Sequence, residues 1–157
     1  MPGPSPPSRA KPDMALGAFT VGRDGRIAPR GPDHPAALRF AWRGRPCTAV
    51  LEADGLGLSA EAGRVPYTVE APRARGAALE TLARLPAELP PGWALALRPD
   101  HRIRLAARAI LPGAATATGL VAAMVHFVLA LDPYLERLEA SGLAAAPSAP
   151  EPGRSST

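Results

Sequence analysis

From Ala37 to Glu70, apolar and polar side chains alternate with a period of two, and the pattern restarts after each of three short polar breaks. The runs "ALRFAWRG", "RPCTAVLEA", "LGLSAEAG" and "RVPYTVEA" are separated at Gly44-Arg45, Asp54-Gly55 and Gly63-Arg64. A period of two marks a half-buried strand, and a two-residue break holding glycine marks a hairpin. Nothing else in the chain limits the fold so tightly, because the register can be worked out from the spacing. Two-residue loops at all three breaks set Trp42 opposite Cys47, Phe40 opposite Ala49 and Leu38 opposite Leu51. They also pair Leu51 with Leu58, Ala49 with Ala60, Ala60 with Tyr67 and Leu58 with Val69. All of these fall on one face. Arg39, Arg43, Thr48, Glu52, Ser59, Glu61, Thr68 and Glu70 fall on the other. A one-residue slip at any turn would mix the faces. The expectation is a four-stranded antiparallel meander with one wet side, its last strand marked by Pro66 as an edge or a bulge.

Farther along, Ala78, Leu79, Leu82 and Leu85 follow helical spacing until Pro86 and Pro90 stop it. "LALRPDHRIRLAARAI" then reads as a hairpin. A three-residue loop, Pro99-Asp100-His101, pairs Leu97 with Ile103, Leu95 with Leu105 and Trp93 with Ala107; a two-residue loop would set Leu97 against Arg104. A long helix over 115–141 follows, with Thr116 or Thr118 as N-cap and Gly142 at its end. Leu120, Met124, Phe127, Leu131, Leu135 and Leu138 form its seam, and Asp132-Pro133 predicts a kink or break. Val121, Val125, Val128 and Leu129 widen the apolar surface beyond one stripe. A helix of that kind lies between two layers or against a second copy of itself. Val121, Val125, His126 and Leu129 are therefore the candidate homodimer interface.

The fold class that follows is α+β, an antiparallel sheet of about six strands with two helices on one face. It forms a single domain over 14–143, between disordered tails at 1–13 and 144–157. The stretch 14–36 admits a short helix or a strand followed by a loop. Only 4% of the residues are aromatic, so the core rests on few large side chains. Residues 109–131 are free of Asp, Glu, Lys and Arg and are long enough to span a bilayer. Pro112, Gly113 and the strand-like start argue against a membrane span. Residues 1–13 hold no apolar stretch that reads as a secretory signal. A lone cysteine, Cys47, fits a reducing cytoplasm.

"RGAALETLARLPAELPPGWALALRPDHRIRLAARAILP" and "TATGLVAAMVHFVLALDPYLERL" together resemble the type III secretion chaperone-like fold. Tir-type secretion chaperones and the bacterial sensory-transduction-regulator family share that fold. The first stretch resembles the group's helix, strand, polar turn and strand ending in Leu-Pro, and the second resembles its last helix. The resemblance covers about residues 37–141. It implies a homodimeric, non-enzymatic protein that holds an extended segment of another polypeptide by strand addition.

Arg98, Arg102, Arg104 and Arg108 line the polar side of the second hairpin and are the candidate partner-binding residues. Such a stripe either docks an acidic protein surface or a nucleic-acid backbone, or solvates the sheet and discourages edge pairing. Nucleic acid is the lesser choice, since no aromatics interleave to stack bases. The net charge of +4 decides nothing by itself, because Ala, Arg, Gly and Pro are raised together, as GC-rich coding would do. His34, His101 and His126 are too scattered for a metal site, and Cys47 falls on the inner face as a small hydrophobe. No cofactor, metal or catalytic residue is expected.

Overall fold

The computed structural model describes residues 14–31, 33 and 36–144; His34 and the expected tails at 1–13 and 145–157 lie outside them. The ambiguous stretch 14–36 forms a small antiparallel sheet of β1 (Met14–Leu16), β2 (Phe19–Val21) and β3 (Ile27–Pro29). A larger sheet contains β4 (Ala37–Trp42), β5 (Arg45–Glu52), β6 (Gly55–Arg64), β7 (Trp93–Leu97) and β8 (Arg102–Ala109). Its order is β4-β5-β6-β8-β7 and every pairing is antiparallel. Helix α1 (Pro72–Arg84) and a 3-10 turn at Leu85–Ala87 connect β6 to β7, and α2 (Ala117–Ala140) closes the chain. The α+β class holds, with five strands in the main sheet.

The faces of the first two hairpins sort as expected, but the turns sit one residue earlier. They are Arg43-Gly44 and Ala53-Asp54, so that Trp42 faces Arg45 and Glu52 faces Gly55. Phe40 consequently faces Cys47, Leu38 faces Ala49, and Ala49 faces Leu58. Moving a two-residue turn by one position shifts the pairing by two, which is the side-chain period, so every residue keeps its face. Arg43 and Gly44 have φ of 49° and 73°, the paired positive values of a type I′ turn.

The fourth meander strand does not form. Strand β6 continues to Arg64 through an irregularity between Glu61 and Gly63, and β8 takes the edge that 65–70 was expected to occupy. Leu58 pairs with Ala107 and Ala60 with Leu105, in place of Val69 and Tyr67. Val69 is 97% exposed and outside the core. The reason is competition for one edge. Strand β8 brings Ile103, Leu105 and Ala107 to the inner face, whereas Pro66 has no N–H to give to a ladder.

The second hairpin follows its expected register, Trp93 to Ala107, Leu95 to Leu105 and Leu97 to Ile103. His101 takes φ of 65° to close the three-residue loop, and its N–H donates to the Arg98 carbonyl at 2.9 Å. The Asp100 carboxylate accepts from the Arg102 N–H at 3.2 Å.

One core joins these pieces. Cys47, Ala49, Leu56, Leu58, Ala60, Ile103 and Leu105 form the sheet's inner surface. Leu120, Phe127, Leu131, Leu135 and Leu138 of α2 lie against it, with Ala78, Leu82 and Leu85 from the α1 region and Phe19, Val21 and Ile27 from the small sheet. The Thr116 hydroxyl caps α2 by accepting from the Gly119 N–H at 3.0 Å. The small sheet is tied to that end, the Ala117 N–H donating to the Gly25 carbonyl at 2.8 Å. Pro133 does not break α2, so of the kink or break expected there the break does not occur. The helix loses one internal bond there, but Leu131 and Leu135 are fully buried on either side and Asp132 is tied to Trp42. Ala144, expected in the tail, exchanges two 2.9 Å backbone bonds with Arg64. By length and composition α2 is the one described helix able to cross a membrane; its leucine seam lies against the sheet.

Candidate functional site

Two surfaces remain uncovered by this packing, and both were anticipated by particular residues. The first is the outer face of the main sheet. Arg102 reaches Glu61 at 3.3 Å and Asp100 at 3.5 Å, and Arg98 lies 4.0 Å from the same Glu61. Arg108 meets Glu52 at 2.5 Å and Asp54 at 2.8 Å. Arg104 differs. Its guanidinium donates to the hydroxyl of Ser59 at 2.9 Å, and it pairs with no carboxylate among the described residues. The cross-strand register explains this. Glu61 stands directly opposite Arg104 but is engaged by Arg98 and Arg102, one at each carboxylate oxygen. Three of the four candidate arginines are thus held by acids of their own sheet. Exposed pairs of this kind contribute little to stability, but they cancel the charge that a polyanion would need.

The second surface is the flank of α2. Val121, Val125 and Leu129 are exposed by 52%, 46% and 58%, in steps of four that keep them on one side of the helix. His126 and Ala122 stand beside them on the wall of a groove of about 470 Å³. Trp93, Arg108, Ala109, Ile110 and Phe127 help to line it. Trp93 and Phe127 stack at 5.2 Å. Ile110, 87% exposed, stands where β8 runs on beyond the start of β7. Of the four candidate interface residues, His126 lines the groove with Ile110, while Val121, Val125 and Leu129 form the exposed stripe; 109–131 holds no Asp, Glu, Lys or Arg.

The histidines do not converge. His101 packs its ring edge-on against Tyr67 at 5.3 Å, while His126 lines the α2 groove. No three of His, Cys, Asp and Glu are grouped to hold a metal ion among the described residues. Cys47 is 2% exposed. Burial pushes its thiol up to about 11, outweighing a backbone hydrogen bond and the nearby Arg45 charge. At pH 8 almost no thiolate exists, and the thiolate is the reactive species. Iodoacetamide should leave the folded protein unmodified at pH 8 and alkylate it promptly in guanidinium. Equal rates in both states would show that the thiol is not sheltered.

One side-chain cluster escaped the sequence reading. The Trp42 indole N–H donates to Asp132 at 2.7 Å. Arg45, 7% exposed, donates to the Ala62 carbonyl at 2.8 Å and to Glu139 at 2.5 Å. Arg43 lies within 3.9 Å of Asp132, Glu136 and Glu139. The first hairpin turn is thereby fastened to the end of α2. Two signals were present in the sequence. Arg45 shares parity with Cys47 and Ala49, which puts a charge on the inner face, and a half-buried tryptophan needs an acceptor.

No family description and no curated protein matches this chain. Among solved structures it is similar to the heterodimeric complex ExoU-SpcU from the type III secretion system of Pseudomonas aeruginosa. The likeness has 20% sequence identity and a TM-score of 0.38, over 73% of this chain and 84% of that one.

Proposed function

We propose that the protein is a non-enzymatic, chaperone-like or regulatory binding module that works as a homodimer and holds a partner polypeptide. The observation that carries this reading is the apolar α2 flank. Val121, Val125 and Leu129 form an exposed apolar stripe along α2, and Ile110 and His126 line a groove on another side of the same helix; exposed aliphatic side chains in such numbers cost solvation unless a protein covers them. In a two-fold contact each residue meets the same surface again, so a charged patch would repel itself. The stripe holds no acidic side chain, and Arg108, which lines the groove, is paired with Glu52 and Asp54. The partner polypeptide is assigned to the sheet, whose outer face carries Arg98, Arg102, Arg104 and Arg108. A cytoplasmic setting goes with the single buried thiol.

Light scattering tests the assembly. The expected mass is twice the 16.2 kDa of one chain. Val125→Glu, which places an unpaired carboxylate in the contact, should raise the dimer dissociation constant at least about tenfold. A single-chain mass at every attainable concentration would refute the dimer. The electrostatic alternative is a basic adaptor for an acidic surface or nucleic acid. It would draw on the same four arginines, and the pairing of Arg98, Arg102 and Arg108 with carboxylates counts against it. A steep loss of partner affinity with added salt would revive it.

A further inference from the structure

Arg104 is the one candidate arginine of the outer sheet face left without a carboxylate among the described residues, and the surface around it is shaped. Two hollows flank it. One of about 320 Å³ is bounded by Val50, Gly57, Gly92, Ala94 and Ala106, with the paired Glu52 and Arg108. The other, of about 150 Å³, is bounded by Pro46, Thr48, Glu61 and Arg98. Arg104 and Ser59 line both. Ser59 is 7% exposed. Its hydroxyl accepts from Arg104, and its own proton has no acceptor among the described residues. A hydroxyl can accept and donate at once. A cationic fork and a hydroxyl with a proton to give thus meet between two hollows.

We propose that this site captures one carboxylate of an extended partner polypeptide, which accepts from Arg104 and Ser59 while small neighbouring side chains enter the two hollows. The proposal rests on the reading that the protein binds a polypeptide, and it names where and by what chemistry. A carboxylate fits the donor set as an acceptor of charge-assisted bonds. A nucleic-acid backbone fits less well. Glu52, Asp54 and Glu61 stand on the same face, and neither hollow is lined by an aromatic ring to stack a base.

The test is a selection of displayed random heptapeptides against the full-length protein, followed by fluorescence anisotropy with the selected peptides. The expected peptides carry Asp or Glu between small residues. Replacing that acid by its amide, or making Arg104→Gln in the protein, should each weaken binding at least about tenfold, and the two losses together should not multiply. Ser59→Ala should cost several-fold. Arg104→Glu should regain affinity for a peptide whose acid is replaced by lysine. Arg104 is exposed, and an unchanged thermal midpoint in Arg104→Gln would show that the fold is intact. Peptides without an acid, binding unmoved by Arg104→Gln, a selection that yields no binder, or tighter binding to a DNA duplex that depends on Arg104 would each overturn the proposal. Peptides that bind independently of Arg104 would remove this site and leave polypeptide binding standing.

Discussion

Gly55→Ala is expected to destabilise the fold by about 3 kcal/mol, at the upper end of what overpacking costs. A Cβ on Gly55 would lie 2.2 Å from the carbonyl oxygen of Ala109 and 3.2 Å from its carbon. These are backbone atoms of β8, so no rotamer change relieves the overlap. The β6–β8 ladder has to open where Leu56 pairs with Ala109, and Leu56 is 1% exposed. Gly44→Ala is the control. Gly44 has φ of 73°, and a Cβ there meets nothing within 4 Å, leaving only the backbone preference of glycine, about 1 kcal/mol. Urea unfolding of both variants decides it, with the midpoint falling much further for Gly55→Ala at unchanged slope. Equal midpoints would mean that the ladder yields there without cost.

Glu139→Ala should destabilise by about 2 kcal/mol, below the full loss for a buried pair, because Glu139 is itself 43% exposed. The larger part of the effect lies with Arg45, whose side chain is 9% exposed and would keep its charge without its carboxylate. Arg45→Met removes that charge and retains the apolar stem, so it should cost less than Glu139→Ala. The double variant should be no worse than Glu139→Ala alone. Denaturant curves of the three proteins measure this coupling. Additive losses would place Arg45 in solvent and would undo the fastening of the first hairpin to α2.

The sequence alone disclosed the faces of the sheet better than its pairings. The second hairpin was legible in full, because only one loop length separates Leu95, Leu97, Ile103 and Leu105 from the arginines. The first two hairpins were legible only to within a shift of two, since such a shift leaves Phe40, Cys47, Ala49 and Leu58 on the inner side. The type I′ turn at Arg43-Gly44 settles what alternation could not. The fourth strand was misread because local alternation in 65–70 cannot reveal that β8, far along the chain, competes for the same edge. Pro133 was misread for a similar reason. Proline weakens an isolated helix, whereas the buried leucines around it keep this one continuous. At the candidate site, the α2 flank was visible as excess apolar width. The singular position of Arg104 was not, because it depends on which arginines claim Glu61 across strands.

The pairing of β6 with β8 has a bearing on how the chain reaches its native state. Residues 65–101 lie between these two central strands, so the middle of the sheet closes over a long loop. The hairpins β4–β5 and β5–β6 form from neighbours and can zip early. Contacts across a long loop come later and slow the overall rate. During synthesis, β6 shows an unpaired row of N–H and C=O groups until residues 102–109 leave the ribosome. A chain stalled before that point carries an open, apolar strand edge, the kind of template on which nascent chains aggregate.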